Sequence, residues 1–328
     1  MIRGLIRTAV LAVMSLAVLS GPASAGPDKV RVANGTTPDI LTVPDVRAFD
    51  HFLKQNTGIA SEVSYLPGAV RAIQAVIADQ ADVGIATLNA GLAAVLQGQD
   101  IVVFALASGA RPYLVLTATG DVKGLKELEG RTVGVIALVD STYYLPVMQM
   151  RAANVDTGKV RWQPVGGGAG RGNALISGGI QAAAFQVGQA LELADKGFHI
   201  IDPPAKNEDF IFKAFWARRS FLEANPKLAT EIVKAHLQAT REALDKQAFV
   251  KLAAERLKPM TEATIGSAYD ILRNMGVWDP NDDLLNKTAG DHTVTEMVRF
   301  KVIEREAPFE KWATDRFVKE AVAALGRK

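Results

Sequence analysis

Apolar and polar residues alternate along the chain in a pattern that predicts strands separated by helices. Lys29–Ala33 alternates like a strand, Val46–Gln55 has apolar residues on one side of a helix, and Glu62–Leu66 is again a short strand. Strands and helices continue to alternate as far as Asp202. Because such alternation is typical of parallel sheets covered by helices, the pattern predicts an α/β fold.

The pattern of the first half occurs a second time, 99 residues further along the chain. Gly98 and Gly197, for example, are separated by this distance. At the same displacement, Gln80–Gly84 falls on Gly179–Ala183 without a gap. Each copy predicts a strand, a glycine loop, a helix, a tight turn, an apolar strand, a second helix and a final strand. We therefore predict two similar lobes, each with an open sheet.

The N-terminus has the pattern of an export signal. Residues 1–25 hold Arg3 and Arg7, then a mostly apolar run, and end in Ala23-Ser24-Ala25, the small-x-small pattern that a signal peptidase cleaves. The run is too short to cross about 30 Å of hydrocarbon comfortably. We therefore expect cleavage after Ala25 and a soluble protein in the periplasm.

Composition excludes several classes of protein. The 328 residues are 48% hydrophobic and 22% charged, which is ordinary for folded domains. The chain has no cysteine, so disulfides, thiolate metal sites and cysteine nucleophiles are excluded. Residues 1–25 hold two of the 37 basic residues, and the other 35 balance 35 acidic ones. Such a neutral body offers no patch for phosphates, so we expect no nucleic-acid partner.

No catalytic or metal-binding pattern stands out in the sequence. The four histidines are scattered, and neither H-E-x-x-H nor G-x-S-x-G occurs. The glycine cluster Gly166–Gly172 lacks the Lys-Ser/Thr of a phosphate loop. Asp279–Asp283 is followed by Leu284, where a calcium loop needs glycine. We therefore expect no metal, no cofactor and no enzymatic activity.

Polar and glycine-containing loops follow the predicted strands of both lobes. Open sheets carry binding loops at the carboxyl ends of their strands, so these loops converge on one cleft if the two edges face each other. Ser141 and Thr142 precede a helix, whose free N–H groups favour an anion. The candidate ligand-binding residues are Thr36, Thr37, Gly68, Thr87, Asn89, Asp140, Ser141, Thr142, Tyr143, Arg171 and Gln186.

Three of these candidates suggest the charge and shape of the ligand. Arg171 is the best candidate for a cation that meets the ligand. Asp140 would repel an anion unless neutralised, or would bind an amine, so a zwitterion also fits. Tyr143 has a ring that can stack on a flat ligand.

Four segments resemble the periplasmic solute-binding proteins of ABC transporters of the nitrate/sulfonate/taurine type. They are Ile73–Ala86, Leu125–Val135, Gly166–Ala184 and Phe215–Pro226. The resemblance implies the two-lobed type II periplasmic-binding-protein fold, with C-terminal helices that return to the first lobe. It also implies that the lobes close over a small solute and that the closed form docks on a membrane permease.

The predicted boundaries follow from this resemblance and from the repeat. Lobe 1 comprises residues 26–112 and 215–328, and lobe 2 comprises residues 113–214. Family members often carry Asp where this chain has Gln181, a position that we expect to be structural. We expect a monomer.

Three functions stay open at this point. The first is capture of a small polar or anionic organic solute (a sulfonate, taurine, nitrate or similar) by hinge closure and delivery to an ABC permease. The second is a solute receptor of a tripartite secondary transporter. The third is an exported enzyme of the thiamine-pyrimidine type, although those enzymes rely on a cysteine-rich motif that this chain does not have.

Overall fold

Two sheets organise the computed structural model, which describes residues 27–36, 38–202 and 209–328. The strands are β1 (Lys29–Asn34), β2 (Ala60–Tyr65), β3 (Val83–Thr87), β4 (Ile101–Leu106), β5 (Val115–Ala118), β6 (Thr132–Val135), β7 (Arg161–Pro164), β8 (Ala182–Phe185), β9 (His199–Ile200) and β10 (Lys213–Arg218). One sheet has the order β2-β1-β3-β10-β4 and the other β7-β6-β8-β5-β9. We call them the sheets of lobe 1 and lobe 2.

Helices cover both sheets and make up most of the chain after β10. They are α1 (Thr42–Arg47), α2 (Lys54–Thr57), α3 (Ala69–Ile77), α4 (Leu88–Leu96), α5 (Ser141–Ala152), α6 (Gly168–Ile176), α7 (Val187–Ala194), α8 (Arg219–Ala224), α9 (Pro226–Glu242), α10 (Lys246–Arg256), α11 (Glu262–Asn274), α12 (Lys287–Arg299), α13 (Phe309–Trp312) and α14 (Arg316–Leu325). A π-helical segment, Ala48–Leu53, joins α1 to α2, and short 3₁₀ turns cover Leu125–Leu128 and Thr157–Lys159.

The predicted repeat is confirmed by the structure. Helices α3 and α6 begin and end 99 residues apart, and the corresponding strands occupy the same places in the two sheet orders. Gly98 and Gly197 close equivalent helices with the same left-handed φ of +90°, a conformation that glycine adopts without strain. The predicted two-lobed α/β architecture is therefore confirmed.

Each sheet contains one antiparallel strand that is inserted next to its last strand. In lobe 1 this is β10, which pairs antiparallel with both β3 and β4. In lobe 2 it is β5, which pairs antiparallel with β8 and β9. The chain therefore crosses between lobes twice, after β4 and again before β10.

The strands at the centre of each lobe are buried on both faces. Every residue of β4 and β8 is buried, as strands covered by helices on both sides must be. Trp216 of β10 is fully buried against α4, where the Gly91 Cα leaves room for its ring. A Cβ at Gly91 would lie 2.2 Å from that ring, so only glycine fits.

The C-terminal helices contact both lobes, whereas we expected them on the first lobe. Helix α9 packs on α1 and on the π-helical segment of lobe 1, and α14 packs on α9. Helix α11, however, contacts α7 of lobe 2. Just after α12, the Phe300 ring lies 6.3 Å from that of Tyr143 and 6.0 Å from that of Tyr144, both on α5. The apolar faces of these helices are therefore shared between the lobes.

The predicted export signal, residues 1–25, lies outside the described residues. Within the described ranges, no helix combines the length and the apolar character that a membrane crossing needs.

Candidate functional site

A cleft of about 430 Å³ lies between the two lobes. Lobe 1 contributes Pro38, Asp39, Ile40 and Leu41, the residues that follow β1. Lobe 2 contributes Gln186, Val187, Gly188, Gln189 and Glu192 at the start of α7, and the C-terminal helices contribute Arg256, Leu257, Lys258, Met260 and Leu272. A cleft of this volume accommodates a small organic molecule.

The wall of the cleft in lobe 1 is fixed by a reciprocal pair of hydrogen bonds. The Thr42 N–H donates to the Asp39 carboxylate at 2.9 Å, and the Asp39 N–H donates to the Thr42 hydroxyl at 3.0 Å. This reciprocal pair has the hydrogen-bond pattern of a capping box and lies in the turn just before α1. Burial raises the pKa of the Asp39 carboxyl, although the charge of Lys213 opposes the rise.

The cleft carries two cations that sequence reasoning missed. Arg256 ends α10 and pairs with Asp50 at 2.7 Å. Lys258, two residues further, makes no ion pair within the described part of the chain. Their only sequence signal is a basic pair before Pro259, and basic residues at the end of a helix are common because they stabilise its carbonyls.

Thr87 and Gln186 occupy equivalent positions at the two lobes' edges. Each is the N-cap residue of the helix after a buried strand, with φ −65° and ψ of 148° or 149°. Neither side chain caps its helix. Gln186 is exposed and lines the cleft, whereas Asn89 is half-buried in the first turn of α4 and is not part of the cleft lining.

Gly68 and Thr36 also lie at the carboxyl edge of the lobe 1 sheet. Gly68 is the N-cap of α3, with a left-handed φ of +108°. The Thr36 hydroxyl donates to the Asn34 side-chain oxygen at 3.0 Å. Thr37 lies outside the described residues. The structure therefore places this group on the predicted edge, with the Thr36 hydroxyl already bonded.

Asp140 and Thr142 have local structural roles. The Asp140 carboxylate accepts hydrogen bonds from the Thr142 N–H at 2.8 Å and from its hydroxyl at 2.7 Å. The same Thr142 oxygen accepts from the Ile136 N–H at 2.9 Å. These contacts fix the loop between β6 and α5 and occupy the groups that we expected to face a solute. Ser141, between them, is half-buried.

Arg171 differs most from expectation. Only 5% of it is exposed, and its guanidinium donates to the carbonyls of Ala184 at 3.2 Å and Gly166 at 3.1 Å. The guanidinium carbon lies 5.4 Å from the centroid of the Phe185 ring. Burial lowers the pKa of Arg171. The structure thus directs this charge into lobe 2, and the prediction that it meets the solute finds no support.

Tyr143 packs among other aromatic rings. Its ring stands edge-on to Trp162, with centroids 4.9 Å apart, and also contacts Phe300. The half-buried Tyr143 ring therefore already has aromatic neighbours within the protein.

The model of one protein family matches more than half of the chain. This is the family described as NMT1/THI5 like, and residues 55–248 match it. Among proteins of curated function, none matches this sequence.

Several solved structures share the fold at low sequence identity. The periplasmic sulfonate-binding protein SsuA from Methylobacillus flagellatus is 18% identical, with a TM-score of 0.69 over 90% of this chain and 94% of that one. The alkanesulfonate-binding protein SsuA from Xanthomonas axonopodis pv. citri, bound to MOPS, is 14% identical, with a TM-score of 0.66 over 89% and 100%. The desulfurization enzyme DSZB is 13% identical, with a TM-score of 0.62 over 90% and 99%.

Proposed function

Because this chain belongs to the NMT1/THI5-like family, we propose that it captures a small organic anion, such as a sulfonate, and delivers it to an ABC permease from the periplasm. The observation that carries this proposal is a cleft lined by both lobes. A solute in that cleft contacts both lobes only when they are close together. Binding therefore shifts the population toward the closed form.

The cleft holds groups that can bind the anionic end of a solute. Arg256 and Lys258 line it. The N-terminus of α7 also lines it, and the free N–H groups there carry a partial positive charge. Asp39 and Glu192 also line the cleft, and their carboxyl groups could pair with an amine at the other end of the solute.

Apolar side chains in the cleft favour an organic solute over an inorganic ion such as nitrate. The lining includes Ile40 and Leu41 of lobe 1, Val187 of lobe 2 and Met260 of the C-terminal helices. An apolar lining with a few polar groups is typical of a binding site for a molecule with a hydrocarbon part.

We propose binding without turnover. A cysteine-to-serine mutant of the desulfurization enzyme DSZB binds biphenyl-2-sulfinic acid. This chain has no cysteine at any position, so a cysteine-dependent reaction is excluded. Mass spectrometry of a recovered sulfonate should show an unaltered molecule.

Isothermal titration calorimetry with MOPS, short alkanesulfonates, taurine and nitrate tests the proposal. We expect saturable binding of at least one sulfonate and about tenfold weaker binding by the double variant Arg256→Gln, Lys258→Gln, which corresponds to about 1.4 kcal/mol. Lys251→Gln is the matched control, since Lys251 is an exposed cation of α10 that lies outside the cleft. Binding of nitrate alone, or equal affinity in the double variant and the control, would contradict the proposal.

A further inference from the structure

A cluster of buried ionisable side chains lies inside lobe 1, apart from the cleft. Lys213 approaches Asp45 at 3.5 Å, and His236 lies between two carboxylates, 3.8 Å from Asp45 and 3.5 Å from Asp282. None of the four is more than 2% exposed. Charged groups that are buried in proteins are paired and hydrogen-bonded. Uncharged polar groups buried beside them also lose their contact with water and need hydrogen-bond partners.

Four polar atoms in and around this cluster make no hydrogen bond to the described residues. They are Ser108 Oγ, His236 Nδ1, Thr240 Oγ1 and Trp278 Nε1. The Nδ1 atom is the one that lies 3.8 Å from Asp45, which is beyond hydrogen-bonding distance. All four residues line one internal cavity of about 10 Å³. A single buried polar atom without a partner destabilises a fold by about 1–3 kcal/mol, so a group in this cavity that bonds to several of the four would stabilise the protein.

The chemistry of the four atoms identifies that partner. The Trp278 indole N–H can only donate, the two hydroxyls can donate or accept, and the second imidazole nitrogen can do either according to its protonation. The partner must therefore both accept and donate hydrogen bonds. A metal cation cannot accept from the indole N–H, and in the described chain no three His, Asp or Glu side chains are arranged to hold one.

We propose that one water molecule occupies this cavity and bonds to Ser108, His236, Thr240 and Trp278. A cavity of roughly 10–15 Å³ with two to four polar partners is what a buried water needs. A water molecule can make four hydrogen bonds in a tetrahedral arrangement, one for each of the four atoms.

The position of the cavity gives this water a structural role at the crossings between lobes. Ser108 follows β4, where the chain leaves lobe 1, and its N–H donates to Asp45 at 2.8 Å. The Leu106 N–H donates to Asp282 at 3.0 Å. Lys213 begins β10, where the chain returns. The water therefore joins the start of one crossing to α9 and to the Trp278 loop.

Two isosteric variants distinguish a hydrated cavity from a dry one. Thr240→Val removes a bond to the water, and we expect its Tm to fall by about 2–4 °C. Thr117→Val is the matched control, because Thr117 is also fully buried with an unpartnered hydroxyl, but in the sheet of lobe 2. Removing a buried hydroxyl that has no partner should leave the Tm unchanged or raise it.

If Thr240→Val behaves like Thr117→Val, the cavity is dry and the proposal is wrong. A high-resolution crystal structure of the unaltered protein gives an independent readout. Density for a water within about 2.7–3.2 Å of at least three of the four atoms would support the proposal. An empty cavity, or direct bonds among the four side chains, would overturn it.

Discussion

The two lobes satisfy the same backbone group with different chemistry at the turn before their central strand. In lobe 1, Asp82 accepts from the Arg31 N–H at 2.8 Å and pairs with its guanidinium at 2.6 Å. In lobe 2, the Gln181 side-chain oxygen accepts from the Thr132 N–H at 3.1 Å. The expectation that position 181 is structural is confirmed. The repeat therefore requires an acceptor here, whereas the charge is an addition of lobe 1.

That added charge ties the turn of lobe 1 to its inserted strand. Arg218 of β10 pairs with Asp79 at 2.6 Å and donates to the Ala81 carbonyl at 3.0 Å. The residue equivalent to Asp79 is Gly178, and both have left-handed φ angles, 56° and 76°. Lobe 2 thus makes the same turn with glycine and without a charged link. Three comparisons, two of them between equivalent positions of the lobes, can separate what the repeat needs from what one lobe adds.

The largest difference is expected between Gly91 of lobe 1 and its equivalent in lobe 2, Ala190. Gly91→Ala places a Cβ 2.2 Å from the fully buried Trp216 ring, so we expect the free energy of unfolding to fall by about 3 kcal/mol. Ala190→Gly lowers helix propensity and removes one buried methyl group, and should cost about 1–2 kcal/mol. Urea denaturation measures both. A loss at Gly91 no greater than that at Ala190 would show that the ring can move.

A smaller difference is expected at the paired turns. Asp82→Ala removes the acceptor of the Arg31 N–H and one of the two carboxylates that pair with its guanidinium, and should lower the free energy of unfolding by about 2 kcal/mol. Gln181→Ala removes one neutral hydrogen bond and should cost about 1 kcal/mol. Equal losses, measured by the same denaturation, would mean that the ion pair of lobe 1 adds nothing to its hydrogen bond.

The smallest effect is expected from pH, because opposing influences act on His236. Burial lowers the pKa of this imidazole, but Asp282 and Asp45 outweigh burial and raise it above 6.5. The protonated form is therefore favoured by folding. Its contribution to stability is complete below pH 6.5 and is lost as the pH rises through the folded-state pKa. Among its described residues, lobe 2 has no buried histidine or carboxylate.

Denaturation between about pH 5 and pH 9 checks this sign. The difference in stability between the unaltered protein and His236→Gln should shrink as the pH rises, whereas Thr117→Val, which changes no ionisable group, should differ from the unaltered protein by a constant amount. A difference that grows with pH would contradict the raised pKa.

The order of elements and the repeat could be predicted because they depend on local patterns. Apolar periodicity and turn residues such as Gly98 and Gly197 act within a few neighbours, and the structure places them as expected. The site was predicted only in part. Gln186 lines the cleft because its position at the end of a strand fixes where it lies.

The other site residues depend on tertiary packing that no local pattern shows. The glycine cluster around Arg171 suggested an exposed loop, but the Ala184 and Gly166 carbonyls draw its guanidinium inward. Arg256 and Lys258 reach the cleft because the C-terminal helices lie against both lobes, and the repeat has no equivalent of that segment.

The shared position of the C-terminal helices limits how far the cleft can open. When lobe 2 rotates away from lobe 1, α11 and Phe300 must either move with lobe 2 or lose their contacts. The contacts at stake are those of α11 with α7 and of Phe300 with α5. Separating Phe300 from α5 would expose the rings of Tyr143, Tyr144 and Phe300 to solvent. This exposure costs about 25 cal/mol for each Å² of apolar surface. The cost of separating the rings of Phe300 and the two α5 tyrosines therefore opposes rotation of lobe 2 away from lobe 1.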